Sequence, residues 1–111
     1  MADDLLEQGL HQMFTGEYFE AHESFEDAWR AAAPAEKDFY QGLVHVTVAW
    51  YQAGRGNRVG CERQLAKAKR RLAAFTPSHR DVDVAALLSA VDAAEAVVEE
   101  GSLELTPLER P

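Results

Sequence analysis

The stretch FYQGLVHVTVAWYQAG, residues 39–54, decides the fold because its apolar residues leave almost no side of a helix uncovered. A helix that is apolar nearly all round is surrounded by other elements. The pattern therefore predicts a central helix over about residues 36–53, with the rest of the chain packed around it. Its apolar side chains are Phe39, Tyr40, Leu43, Val44, Val46, Val48, Trp50 and Tyr51.

Four other segments have the apolar spacing of amphipathic helices. The residue before Pro34 is pushed out of helical backbone, so a helix ends there, and Gly101 closes the last one. No run of residues alternates convincingly between apolar and polar, as a strand would require. The sequence therefore predicts an all-α chain of about five helices, the others covering about residues 3–14, 17–32, 58–75 and 83–100.

The length of 111 residues fits one domain, which we predict over residues 1–101, followed by an irregular tail over residues 102–111. A faint repeat relates the two halves and resembles part of a tetratricopeptide unit. A solenoid needs three or more such units, so we expect a compact bundle of two tetratricopeptide-like hairpins closed by a C-terminal helix. The repeated positions are Gly16, Ala21, Phe25 and Ala28, then Gly56, Cys61, Leu65 and Ala68.

The composition limits the cellular compartment of the protein and the kinds of chemical site that it can form. Hydrophobic residues make up 47% of the chain and the net charge is -8, as in a folded globular protein. Cys61 is the only cysteine, which excludes an internal disulfide and a cysteine-rich zinc site, and it is expected to fill the core rather than react. Neither an export signal nor a membrane span is evident, so we expect a cytoplasmic protein without membrane contact.

Charge is segregated along the chain. Residues 1–38 hold ten acids against two bases, whereas residues 55–71 hold seven bases against one acid. The simplest interpretation is that the basic fourth helix lies against acidic neighbours within the fold. A nucleic-acid surface on that helix is the alternative, disfavoured by the net negative charge and by the lack of aromatic residues among the bases.

The segment EYFEAHESFEDAW, residues 17–29, contains the strongest candidates for chemistry. On a helical wheel, His22 and Glu26 fall inside the apolar arc and Glu23 falls at its edge. A histidine and a carboxylate four residues apart can meet on one face, and Glu23 could add a third metal ligand. The residues expected to face solvent are Glu20, Ser24 and Asp27.

Partners for His22 and Glu26 would come from a line of polar residues on the central helix, Asp38, Gln41, His45 and Gln52. A metal site would then use His22, Glu26 and His45, although no histidine follows a glutamate by three residues as in di-metal bundles. We favour a buried hydrogen-bonded network with Gln41 and His45. A third possibility is a small polar pocket, walled by Trp29 and Tyr18, that holds a ligand or exchanges protons. His11 and His79 have no evident partner.

Three motifs carry a family resemblance: F-x-G-E-Y-F-E-A-H-E-x-x-E-x-x-W at residues 14–29, Q-G-L-V at 41–44 and R-G-N at 55–57. They resemble the bacterial and archaeal domain-of-unknown-function family 309, over roughly residues 5–75. The resemblance implies a small all-helical bundle and supplies no activity. His45 stands where relatives are expected to carry another residue, so a site that depends on it would be particular to this chain. The matching positions are Gly16, Glu20, His22, Glu23, Glu26, Trp29, Gln41, Gly42, Gly56 and Asn57.

Three functions follow as hypotheses. The preferred one is a non-enzymatic interaction or scaffold module with a His/Glu network, no cofactor, a protein partner and an exposed apolar or aromatic groove. The second is a metal- or small-ligand-binding protein, including a hydrolase, and the third is a nucleic-acid-associated protein using the basic helix. The oligomeric state stays open. The candidate pocket comprises His22, Glu23, Glu26, Trp29, Gln41, His45 and Asn57.

Overall fold

The five predicted helices are present in the computed structural model, which describes residues 2–110, without the side chain of Ala2. Met1 and Pro111, the ends of the predicted domain and tail, lie outside this range. Short 3-10 turns at Pro34–Glu36 and Ala73–Phe75 precede the third helix and follow the fourth. The helices are α1 (Ala2–Phe14), α2 (Tyr18–Ala31), α3 (Lys37–Gly54), α4 (Arg58–Leu72) and α5 (Val84–Glu99).

One small element differs from the prediction that no strand is present. Before α5, the chain forms an antiparallel hairpin of two-residue strands, β1 (Ser78–His79) and β2 (Val82–Asp83). Its turn residues Arg80 and Asp81 both have positive φ, at 49° and 63°, as a two-residue hairpin turn requires. Strands this short show no alternation, and Arg-Asp is not the usual Asn-Gly turn pair, so neither signal appears in the sequence.

Polar caps and glycines set several helix ends. Asn57 Oδ1 accepts a hydrogen bond from the Gly60 amide at 2.9 Å and begins α4, and Asp83 Oδ1 does the same for Ala86 at the start of α5. Gly16 and Gly56, with φ of 84° and 75°, turn the chain after α1 and α3. The fourth helix ends before the predicted residue 75 because its last residues tighten into a 3-10 turn.

The core is built around α3, which packs against α2 on one side and α4 on the other. Gly42 permits a close approach, since a Cβ built there would lie 2.4 Å from Leu72 Cγ on α4. α1 packs on α2, and α5 packs chiefly on α4. None of the described helices is long and apolar enough to cross a membrane. The apolar spacing of α1, α4 and α5 also predicts which residues are buried, and of these Leu88 on α5 is only half-buried. The prediction is confirmed at Leu6, Leu10, Met13, Cys61, Leu65, Ala68, Leu72, Val84, Leu87, Val91 and Val98.

Ser24 is buried, at 5% exposure, although the wheel of α2 placed it toward solvent. Its Oγ donates a hydrogen bond to Gln12 Oε1 of α1 at 2.7 Å. The prediction was wrong because α1 covers this side of α2, and a small polar contact between helices leaves no mark in apolar periodicity.

The C-terminal tail, residues 102–110, contains neither helix nor strand and lies along the bundle. Trp50 Nε1 of α3 donates a hydrogen bond to the Thr106 carbonyl at 2.9 Å. Leu108 is only 4% exposed, and its amide donates to Tyr18 Oη of α2 at 3.4 Å. Near the end, Arg110 Nη2 pairs with Glu7 Oε1 of α1 at 2.9 Å. The tail therefore contacts three helices and closes one side of the fold.

Candidate functional site

His22 and Glu26 form the contact that their spacing predicts. His22 Nε2 lies 3.3 Å from Glu26 Oε1, and their side chains are 23% and 39% exposed, so the pair is half-buried rather than enclosed. His22 Nδ1 lies 2.6 Å from the Phe19 carbonyl oxygen. A carbonyl oxygen only accepts, so Nδ1 carries a hydrogen and the ring is oriented by its own helix.

The ring of His22 forms one wall of a cavity of about 150 Å³ between α2 and α3, which we call the His22 pocket. Phe19 stands at its edge, 45% exposed, with its ring centroid 5.0 Å from that of His22 and 5.5 Å from that of Tyr51. The predicted wall Tyr18 lines this cavity, whereas Trp29 lies under the Lys37 ammonium instead. The full lining is Tyr18, Phe19, His22, Val48, Tyr51 and Gln52.

The polar residues of α3 take partners on α4 at two positions. His45 Nδ1 lies 2.7 Å from Gln64 Oε1, and Asp38 Oδ1 accepts from Arg71 Nη1 at 2.6 Å. Burial lowers the pKa of His45, and the nearby cations of α4 lower it further, whereas the hydrogen bond to Gln64 raises it. Gln41 lies half-buried on the same helix. His45 therefore belongs to the contact between α3 and α4, and the structure does not bring it to His22.

Asn57 and Glu23, the other candidates from the motif, have simpler surroundings. Asn57 caps α4, and its Nδ2 donates a hydrogen bond to Gln52 Oε1 at 3.1 Å, which connects the R-G-N turn to a residue of the His22 pocket. Glu23 is exposed on α2. Neither side chain lines the His22 pocket.

No three histidine, cysteine, aspartate or glutamate side chains within residues 2–110 come together in a way that could hold a metal ion. Cys61 is fully buried, and burial raises the pKa of its thiol, which disfavours the reactive thiolate. The motif helix thus presents a two-residue polar contact beside an aromatic pocket rather than a ligand set.

A larger cavity, of about 510 Å³, lies between α5 and the tail, at a position that the sequence did not predict; we call it the α5 cleft. Leu10, Phe14 and Trp50 line it from α1 and α3. The spacing of small residues on α5 was visible in the sequence, but the path of the tail that forms the opposite wall was not. The α5 wall includes Ala86, Ala90, Ala93 and Val97, and the tail wall runs from Thr106 to Arg110.

The sequence suggested no partner for His79. In the structure, its Nε2 atom lies 2.8 Å from Glu36 Oε1. The Arg80 Nε also donates to Glu36, and Arg80 Nη1 donates to Asp3 Oδ1 at 2.7 Å. The hydrogen bond from Arg80, followed by that from His79, lowers the pKa of Glu36. Within residues 2–110, the buried Tyr40 hydroxyl has no hydrogen-bond partner, and burial raises its pKa. This cluster ties the hairpin to α1 and to the start of α3.

Two bases of α4 contact acids on neighbouring helices, as the simplest interpretation of the charge pattern expects: Lys69 on α5 and Arg71, through Asp38, on α3. Lys69 Nζ lies 3.0 Å from Asp92 and 2.9 Å from Glu95, both on α5. Arg58 Nε pairs with Glu62 at 2.6 Å within α4. Exposed pairs of this kind contribute little individually, so they show charge balance rather than a strong source of stability.

These features define a small all-helical module with an aromatic pocket on its motif helix and an apolar cleft at its C-terminal side. The family model "Domain of unknown function (DUF309)" matches residues 6–64, more than half of the chain, so the chain belongs to this family, as its motifs predicted. It is 36% identical over 70 residues to the uncharacterized protein YpuF of Bacillus subtilis (strain 168). That similarity spans 62% of this chain and 38% of YpuF. No solved structure matches.

Proposed function

We propose that this chain is a non-enzymatic interaction module that binds an amphipathic helix of a protein partner in the α5 cleft. One observation supports it above others: a stripe of small residues on α5 lines, together with Phe14 and Trp50, a cavity of about 510 Å³. Hydrophobic grooves of this kind commonly take the apolar face of a helix. The His22–Glu26 network lies apart, so the proposal assigns partner binding to α5 and the tail.

The dimensions suit a helix of about three turns. Ala86, Ala90, Ala93 and Val97 recur on one side of α5, whose 16 residues give a length of about 24 Å. Small side chains let two helix axes approach to the short end of the usual range of about 8–10 Å. Phe14 and Trp50, which line the cleft from α1 and α3, offer aromatic surface on which large apolar anchors of a partner gain binding energy.

The carboxylates at the rim of the cleft favour a partner helix whose polar residues are basic. Asp81, Asp83 and Glu109 line the cleft with carboxylates, while the guanidinium of Arg110 is engaged by Glu7 and lies over the Phe14 ring. The chain as a whole carries a net charge of -8. A helix whose apolar face is flanked by lysine or arginine is therefore complementary in both shape and charge.

A labelled amphipathic leucine/lysine peptide, with a scrambled peptide of the same composition as reference, tests the proposal by fluorescence anisotropy. We expect the amphipathic peptide to bind at least about tenfold more tightly than the scrambled one, a difference of about 1.4 kcal/mol. Ala90→Phe should fill the cleft and abolish this preference. Ala85→Phe is the matched control, since Ala85 is exposed on the same helix and does not line the cleft.

Three results would contradict helix binding in the cleft. Equal affinity for the two peptides would indicate charge attraction alone, and unchanged binding by Ala90→Phe would place the peptide elsewhere. Binding of a fatty acid such as oleate, lost in Ala90→Phe and unaffected by the amphipathic peptide, would replace the helix by a small apolar ligand.

A further inference from the structure

Three basic side chains of α4 form no ion pair with any acid of residues 2–110, although other bases on the same helix do. Arg58, Lys69 and Arg71 are each engaged by an acid of α4, α5 or α3. The unpaired bases follow one another at spacings of four and three residues, so they lie within about 60° on one side of the helix. We call them the basic stripe: Arg63, Lys67 and Arg70.

The charges of the basic stripe are not neutralised by the rest of the fold. Burial is the main cause that lowers the pKa of His45, and the charges of Lys67 and Arg70 lower it further. Arg63 and Arg70 are exposed, and Lys67 is half-buried. Like charges four residues apart on a helix repel each other. An acidic surface that covered the stripe would offset this repulsion.

The solvent side of α2 carries such a surface. Glu20 and Glu23 are exposed and form no ion pair with the described bases. Asp27 pairs only with Arg30 of its own helix, and their side chains are 59% and 62% exposed. An exposed pair of this kind is weak, so Asp27 stays available to another base. We call these three acids the acidic stripe: Glu20, Glu23 and Asp27.

The two stripes have the same spacing when their helices run antiparallel. Counted back from Arg70, the bases fall at 0, 3 and 7 residues, and counted forward from Glu20, the acids fall at 0, 3 and 7 residues. Each stripe covers about 10 Å along its helix. Every charge therefore meets an opposite one in a single alignment. The three pairs are Arg70 with Glu20, Lys67 with Glu23 and Arg63 with Asp27.

These pairs do not form within one chain, because α2 and α4 pack on different sides of α3. A nucleic acid would also offer negative charge to the basic stripe. It is disfavoured because the net charge of -8 repels phosphate and because α4 has no aromatic residue on which bases could stack. A second copy of the chain supplies acids at the matching spacing.

From this register we propose that the chain associates with a second copy of itself, with α4 of one copy antiparallel to α2 of the other. The alignment also brings together two exposed apolar residues, since Val59, which is 59% exposed, falls opposite Ala31. Neither stripe lines the α5 cleft, so association and helix binding depend on separate residues.

Sedimentation velocity over a range of protein concentrations measures the association. We expect association at about 0.05 M NaCl that weakens at least about tenfold at about 0.5 M, because salt screens exposed charges. Lys67→Glu and Glu23→Lys should each weaken it at least about tenfold, since the central attraction becomes a repulsion. The variant with both changes reverses this pair and should restore the wild-type affinity within about threefold.

Lys67→Glu combined with Glu104→Lys is the matched control. It has the same net charge as the reversed pair, but Glu104 is exposed on the tail and belongs to neither stripe. This control should associate as weakly as Lys67→Glu alone. Far-ultraviolet circular dichroism of each variant separates loss of association from loss of folding.

Four results would overturn the proposal. A chain that stays monomeric at low salt up to about 1 mM would exclude association, and association unaffected by Lys67→Glu would place the contact elsewhere. Equal recovery in the two double variants would show that net charge, rather than the register of the stripes, controls it. Binding of a labelled single-stranded oligonucleotide by a monomeric wild type, lost in Lys67→Glu, would assign the basic stripe to nucleic acid instead.

Discussion

A single methyl group at position 42 should separate the two helices at the centre of the fold. A Cβ on Gly42 would lie 2.4 Å from both Cγ and Cδ2 of Leu72, whereas carbon atoms pack at about 3.5–4.0 Å. Leu72 is fully buried, so it cannot turn into solvent. In Gly42→Ala, α3 and α4 must therefore move apart or Leu72 must adopt a strained rotamer.

The expected loss follows from two opposing effects. Overpacking a core costs about 1–3 kcal/mol, and an overlap of more than about 1 Å with two atoms places this substitution at the upper end. Alanine stabilises a helix by about 0.8–1.0 kcal/mol relative to glycine. The net free energy of unfolding should fall by about 2 kcal/mol, which corresponds to a decrease of about 8 °C in Tm for a domain of this size.

Urea unfolding followed by far-ultraviolet circular dichroism measures the change, with Gly54→Ala as the control. No atom lies within 4 Å of a Cβ at Gly54, so alanine there should be neutral or stabilising by up to about 1 kcal/mol. In the Gly42→Ala background, Leu72→Ala should cost at least about 1 kcal/mol less than in the wild type. The close approach of the helices is refuted if Gly42→Ala is as stable as Gly54→Ala, or if its effect adds to that of Leu72→Ala without coupling.

Three further predictions concern pH and the tail. Burial lowers the pKa of His45 below its usual 6.5, so its contribution to stability is complete above pH 6.5 and is lost as the pH falls toward the lowered pKa of the folded state. When urea midpoints are measured over this pH range, His45→Gln should flatten their decline, and parallel curves for the variant and the wild type would contradict the assignment. The pKa of Glu36 lies below its usual 4.5, so the stability that it contributes is present above pH 4.5 and is lost as the pH falls through the pKa of the folded state. Arg80→Ala should weaken this loss of stability in acid, and an unchanged decline of the urea midpoint would contradict the role of Arg80. Trp50→Phe removes the hydrogen bond to Thr106 and should cost about 1 kcal/mol and speed amide exchange in residues 102–110, whereas unchanged exchange would mean that other contacts hold the tail.

Much of the fold could be predicted because it is encoded locally. A buried stripe repeats at the helical period, so the sequence shows both that a helix forms and which side it buries, as with Leu65 and Leu72 on α4. Glycines with positive φ and side-chain caps mark the ends in the same local way. The position of α3 at the centre followed because its apolar residues cover most of its circumference.

The candidate site was harder to predict because its contacts join residues distant in sequence. The i, i+4 spacing was sufficient for the His22–Glu26 contact, which lies within one helix. It was insufficient for His45, whose partner Gln64 depends on how α4 is rotated against α3. For His79 and Glu36, 43 residues apart, no local pattern exists, because a two-residue hairpin brings them together.

The His22 pocket and the α5 cleft differ in how much of each falls within the range that the family model matches. Every residue that lines the His22 pocket falls within residues 6–64, the range that the family model matches. The α5 cleft takes only one wall from that range, while α5 and the tail, which form the rest, lie beyond it. A function common to the family must be built from residues within the matched range, so the helix-binding proposal, which depends on α5 and the tail, concerns this chain.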